Sequence, residues 1–61
     1  MSASIETQEK HKWHLHSLLK IKKANEGITI AELQAEIQAA VALMVQEDVA
    51  WVEKVVGIKA F

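Results

Sequence analysis

The chain has 61 residues, a formal net charge of -1 at neutral pH, and neither cysteine nor proline. The missing cysteines exclude disulfides and thiolate chemistry, and the two glycines give too few turn signals for an all-β fold. A single domain over residues 1–61 of this size buries only about 60% of its unfolded surface, so we expect it to need a partner.

The amino-terminal segment and the apolar runs argue against export and membrane insertion. The segment MSASIETQEK lacks the apolar region that follows the basic start of a secretory signal. The longest apolar run, residues 39–45, is far shorter than the roughly 20 residues that span a bilayer. We therefore expect a cytoplasmic protein that makes no contact with a membrane.

The first predicted element is a helix over about residues 5–24. Leucines at helical spacing form one face, and the opposite face carries a basic ridge, which consists of Lys12, His16, Lys20 and Lys23. Cations at this spacing can follow phosphates, so the ridge is a candidate nucleic-acid surface. The chain has no arginine, the residue best suited to reading guanine. Residues 1–24 sum to a charge of +3 (five lysines, two acids), and residues 25–61 to -4 (two lysines, six acids).

Two histidines on this helix are candidate metal ligands. His11 and His14 lie three residues apart on one predicted face, which is a spacing that metal ligands use. His16 points to another side of the helix, and no Glu-x-x-His or HExxH motif accompanies the pair. We therefore interpret both as face residues with local hydrogen bonds, and we predict neither a metal nor a cofactor.

A turn at residues 25–28 separates the first helix from a second, which is predicted over about residues 30–56. Thr29 and Glu32 match a capping box, in which the hydroxyl accepts from one backbone N–H and the carboxylate from another. Gly57 is the predicted stop of this helix.

Apolar residues cover half the circumference of the second helix, more than one neighbouring helix can bury. Two helices with a short connection form an antiparallel hairpin, and the longer one would extend past the shorter by about 10 Å. The exposed apolar end favours a second copy, giving an all-α dimeric four-helix bundle. The predicted oligomer interface consists of Val41, Val45, Val49, Trp51, Val52 and Val55.

Asp48 interrupts this apolar face, with Val41 two turns before it and Val52 one turn after it along the helix. A carboxylate in such surroundings is costly unless it is paired or hydrogen-bonded. We predict that Asp48 is a buried, satisfied carboxylate with a structural role, and the alternatives are an exposed position or a functional acid.

The segment LLKIKKANEGITIAELQAEI resembles the opening of winged-helix DNA-binding domains, in which a helix, a short turn and a capped helix follow each other. This resemblance implies nucleic-acid binding, with residues 49–61 forming a wing hairpin. The pattern between Gln34 and Gln46 contains no residue that would break the helix before a recognition helix.

The sequence lacks a glycine-rich phosphate loop, a nucleophile elbow and paired carboxylates on one face, so we predict no enzymatic activity. We expect a small regulatory protein that acts through self-association and protein-partner binding. The alternative is a nucleic-acid-binding module, through the basic ridge of a bundle or as a degenerate winged helix.

Overall fold

A computed structural model describes residues 5–61, and side-chain exposure from residue 8 onward. These residues form three helices, α1 (Ile5–Ala24), α2 (Ala31–Ala42) and α3 (Gln46–Val56). The all-α class is confirmed, and α1 has the predicted bounds. None of the helices within this described range is long and apolar enough to cross a bilayer.

The single helix predicted over residues 30–56 is wrong, because the chain breaks between α2 and α3. The N–H groups of Leu43 and Met44 donate to carbonyls three residues earlier, at 3.1 and 3.0 Å, which tightens the last turn of α2. Val45 is then extended (φ -76°, ψ 151°) and serves as the N-cap residue of α3. The predicted second helix is therefore replaced by two shorter ones, and the two-helix hairpin by three helices.

The break folds α3 back along α1 and so builds the core. Helix α1 packs against both other helices, which make little contact with each other. The buried residues form one cluster, consisting of Leu15, Leu18, Leu19, Ile37, Ala40, Val49, Val52, Val56 and Ala60. A continuous second helix would leave its carboxyl end without a neighbour, whereas here three α3 valines are buried. Burial of an aliphatic side chain contributes about 1.5–3 kcal/mol, which offsets the helical hydrogen bonds lost at the break.

The wing hairpin implied by the winged-helix resemblance is also absent from the described residues. Residues 49–56 belong to α3, and residues 57–61 form a turn and a short tail without a strand. The expectation that the helix continues unbroken between Gln34 and Gln46 is also wrong, because residues 43–45 form a turn before α3.

The capping box at the start of α2 does not form. Helix α2 begins at Ala31, and its N-cap residue is Ile30, in extended conformation and without a side-chain capping hydrogen bond. The Gln34 N–H donates to the Ile30 carbonyl at 3.0 Å, which closes the first turn. Thr29 thus lies one residue before the capping position.

The tail after α3 is held against all three helices by hydrogen bonds. Gly57 ends α3 in the left-handed conformation (φ 89°), and its N–H donates to the Glu53 carbonyl at 2.8 Å. The Ala60 N–H donates to Glu53 Oε2 at 2.7 Å, and its carbonyl accepts from Lys22 Nζ at 2.8 Å and Gln34 Nε2 at 2.9 Å. These bonds hold the methyl group of Ala60 in the core, where it is fully buried.

Candidate interaction surface

The residues predicted as an oligomer interface do not share one surface. Val49 and Val52 are 9% and 0% exposed, because α3 turns them toward the core of its own chain. Val41 is half-buried at the edge of the same core. The exposed members of the set are Val45, Trp51 and Val55. Val45 lies at the break, whereas the other two lie on α3.

Trp51 and Trp13 form an exposed aromatic pair between α3 and α1. Their ring centroids are 6.1 Å apart and the ring planes meet at 86°, an edge-to-face geometry that contributes about 0.5–1.5 kcal/mol beyond area burial. Trp13 is 54% exposed and Trp51 is 42% exposed, so neither ring is a core residue. Together with the exposed Val55, they form what we call the tryptophan patch.

The basic ridge of α1 borders this patch. Lys12 Nζ lies 5.0 Å from the ring centroid of Trp51, within the range of a cation–π contact. The His16 ring packs edge-on against Trp13, with centroids 5.4 Å apart. The structure therefore brings the two tryptophans, which are 38 positions apart in the sequence (51 minus 13), to the same face as the predicted ridge.

A groove of about 520 Å³ continues this face between α1 and α3. Its lining residues are His16, Lys20, Lys23, Ala24, Val55 and Val56. At one end, Lys23 Nζ donates to the Val56 carbonyl at 2.9 Å, where a cation is also favoured by the negative end of the α3 dipole. This α1–α3 groove thus combines cationic groups from α1 with apolar side chains from both helices.

Asp48 is half-buried, and no charged side chain is fully buried in the part of the chain for which exposure is described. The prediction of a buried carboxylate is therefore wrong. Asp48 lies in the first turn of α3, where the positive end of the helix dipole stabilises an anion. It lines a small cavity of about 90 Å³ together with Gln8 and His11 from α1.

The two candidate metal ligands are not joined by further ligands. His11 is half-buried beside Asp48, and His14 is exposed. Over the residues that the structure describes, no group of three His, Cys, Asp or Glu side chains could hold a metal ion.

Sequence reasoning did not include Trp13 or Leu43 among the site residues. Leu43 is 68% exposed at the break, next to Val45, which is 58% exposed. The acidic pair Glu47 and Asp48 is the signal that could have located Leu43 and Val45 in a turn, because acids concentrate in the first turn of a helix and mark its start. A helix starting there places residues 43–45 in a surface turn.

Comparisons with known proteins identify no family for this chain. No protein-family model, no curated protein and no solved structure matches it. Function is therefore inferred from the side chains and their arrangement.

Proposed function

We propose that this chain is a small non-enzymatic protein that acts by binding a partner protein and by associating with itself. The tryptophan patch is the observation that carries the proposal. Tryptophan is enriched among the residues that dominate binding energies, because its large rigid ring buries much surface at little entropic cost. Contiguous exposed apolar surface of this kind is commonly covered by a partner.

The surroundings of the patch indicate the chemistry of that partner. Lys12, His16 and Lys20 lie along one edge of it, and the α1–α3 groove extends from the same edge. A protein surface that presents apolar side chains beside carboxylates would complement both features. We therefore infer an acidic, partly apolar binding partner.

Sedimentation velocity over a dilution series tests this proposal with Trp13→Ala. We expect the native protein to form larger species as its concentration rises, and Trp13→Ala to weaken association by about 30-fold, the effect of a hot-spot residue near 2 kcal/mol. Phe61→Ala is the matched control, because Phe61 is an exposed aromatic residue outside the patch (67%). Far-UV circular dichroism should show unchanged helix content in both variants. Equal association of the three proteins would contradict a role for the patch.

Binding of single-stranded nucleic acid is the second candidate function. The observation that favours it is the position of Trp51 beside Trp13 and the basic ridge, since bases stack on aromatic rings while lysines follow the phosphates. Helix α3 is not a suitable recognition helix, because its first turn carries Glu47 and Asp48, which repel phosphate. The nucleic acid would therefore lie along α1.

Two of the three ridge lysines already have partners, which makes this candidate the weaker one. Lys12 Nζ lies 3.0 Å from the Glu9 carboxylate, and Lys23 Nζ is bonded to the Val56 carbonyl. Phosphates would have to compete with both contacts.

A triple substitution of the ridge lysines tests the nucleic-acid function. The variant Lys12→Gln, Lys20→Gln, Lys23→Gln should lose affinity for a single-stranded oligonucleotide. The slope of log affinity against log salt concentration should also become shallower by about 2, the value for about three phosphate contacts on a single strand. The matched control replaces three lysines elsewhere by glutamine, namely Lys10, Lys54 and Lys59. Equal loss in both variants would indicate a general charge effect and contradict a specific ridge.

A further inference from the structure

We propose that the turn between α2 and α3 of one copy inserts into the α1–α3 groove of a second copy, giving a head-to-tail contact. This inference rests on the self-association part of the proposed function, and it names the surfaces that meet. The inserted element, which we call the acidic turn, comprises residues 43–48.

The acidic turn presents apolar side chains directly followed by carboxylates. Leu43 and Val45 are 68% and 58% exposed and lie two positions apart, so the turn presents a small apolar surface. Glu47 and Asp48 follow in the first turn of α3, so the segment carries two negative charges and no positive one. It is therefore both apolar and acidic within six residues, as residues 43–48 count inclusively.

The α1–α3 groove has the complementary character. Val55 and Ala24 give it apolar surface, while Lys20 and His16 supply cationic or protonatable groups. The groove has a volume of about 520 Å³ and is open to solvent, so an aliphatic side chain of another molecule can reach its apolar lining. Opposite charges beside an apolar contact fix the relative orientation of the two surfaces, because an arrangement that brings like charges together is unfavourable.

The positions of the two surfaces require a second copy. The acidic turn precedes the amino end of α3, and the groove is lined by Val55 and Val56 at its carboxyl end. Eleven helical residues, about 16 Å, separate these ends, so one chain cannot place its own turn in its own groove. A chain that donates its turn to one copy can accept the turn of another copy in its own groove. Head-to-tail contacts of this kind can therefore add further copies one after another.

The turn between α1 and α2 is the competing donor within the same chain. Ile28 is 67% exposed there, and Glu26 and Glu32 flank it. However, Lys22 and Lys23 lie in the last turn of α1 just before it, so residues 22–32 carry two lysines and two acids and no net charge. The equally long segment 38–48 carries two acids and no lysine, so its net charge favours the acidic turn as the donor.

Two surface substitutions used in combination test the contact. Lys20→Glu puts an anion in the groove and cancels the charge of Lys23, and Leu43→Asp removes the most exposed apolar side chain of the turn. Both side chains are exposed, so both variants should fold. The matched controls are Lys10→Glu on an exposed position of α1 and Ile28→Asp on the competing turn. Sedimentation velocity measures the size of each protein, and circular dichroism confirms its helix content.

We expect each of the two variants alone to be monomeric where the native protein forms larger species. An equimolar mixture of the two should form a one-to-one dimer that does not grow, because it contains one intact turn and one intact groove. With the Leu43→Asp chain isotopically labelled, amide shifts should move around His16, Lys20 and Val55 and not around the mutated turn. The controls should associate within about twofold of the native protein.

Other outcomes separate the failure of this inference from that of the proposed function. If the native protein associates but Leu43→Asp has no effect, or Ile28→Asp blocks association instead, the contact is wrong and self-association stands. If the native protein stays monomeric at every concentration, both the proposed contact and self-association are overturned. If it stays monomeric and a single-stranded oligonucleotide binds in the groove in a Lys20-dependent manner, the occupant is nucleic acid and the inference is likewise overturned.

Discussion

Val52→Ala and Val55→Ala form a matched pair that tests how α3 packs. Both valines lie in the same helix three positions apart, yet Val52 is fully buried and Val55 is 51% exposed. In the hairpin of two long helices, both would lie on the overhanging end and respond alike. In the three-helix fold, Val52 is buried in the core, whereas Val55 lies in the open α1–α3 groove.

The magnitudes follow from the burial of each side chain. Val52→Ala removes two buried methyl groups, a loss of about 1.6 kcal/mol in transfer free energy, to which the residual cavity adds. Val55→Ala removes groups that are already half-exposed, a loss of about 0.8 kcal/mol. Alanine also improves helix propensity, by up to about 0.7 kcal/mol, but equally in both variants. We therefore expect Val52→Ala to be less stable than Val55→Ala by about 1–2 kcal/mol.

Urea unfolding followed by far-UV circular dichroism measures this difference. Because the core of so small a domain supplies about 3–5 kcal/mol, the loss at Val52 should lower the urea midpoint by about 1 M or more. The titration is carried out at several dilutions to separate folding from association through Val55. Trimethylamine N-oxide restores a measurable baseline if Val52→Ala is largely unfolded. Equal stability of the two variants would refute the packing of α3 against α1.

Four further substitutions test the helix ends and the tail by thermal unfolding and, for Glu53, also by hydrogen exchange. Gly57→Ala should lower the free energy of unfolding by about 1–2 kcal/mol, because φ is 89° and a Cβ would lie 2.8 Å from a lysine ammonium. Gly27→Ala should lower it by less, because φ is 91° but nothing lies within 4 Å of the added Cβ. Glu53→Ala should cost about 1.5 kcal/mol and remove the hydrogen-exchange protection of the Ala60 amide, and retained protection would contradict the bond between them. Thr29→Ala should change stability by less than about 0.5 kcal/mol, whereas a capping residue would lose about 1 kcal/mol.

Local sequence signals predicted α1 and the all-α class because these depend on residues close together in the chain. The leucines at 15, 18 and 19 repeat at helical spacing, and Asn25 and Gly27 supply the turn that follows. Asn25 Nδ2 donates to the Ile21 carbonyl at 2.8 Å, so the turn is held by the short side chain that typically occupies it.

The break between α2 and α3 was not predictable from helix-breaking residues, because residues 34–46 contain neither glycine nor proline. It follows from a tertiary requirement, namely burial of Val49, Val52 and Val56 against α1. The basic ridge was predicted from α1 alone, but the tryptophan patch depends on the return of α3 and could not be derived from a straight second helix.

Asp48 links the failed prediction to the correct fold. In a continuous helix its carboxylate interrupts an apolar face, and the accounts available were a paired or hydrogen-bonded carboxylate, an exposed position or a functional acid. In the three-helix fold it stands in the first turn of α3, where the free N–H groups and the helix dipole favour an anion. The residue that conflicted with one long helix is thus compatible with a new helix start. That start has a structural consequence, because it exposes Leu43 and Val45 in exchange for burying three valines of α3. The exchange leaves apolar surface next to two carboxylates, which is the surface that we infer the groove of a second copy to cover.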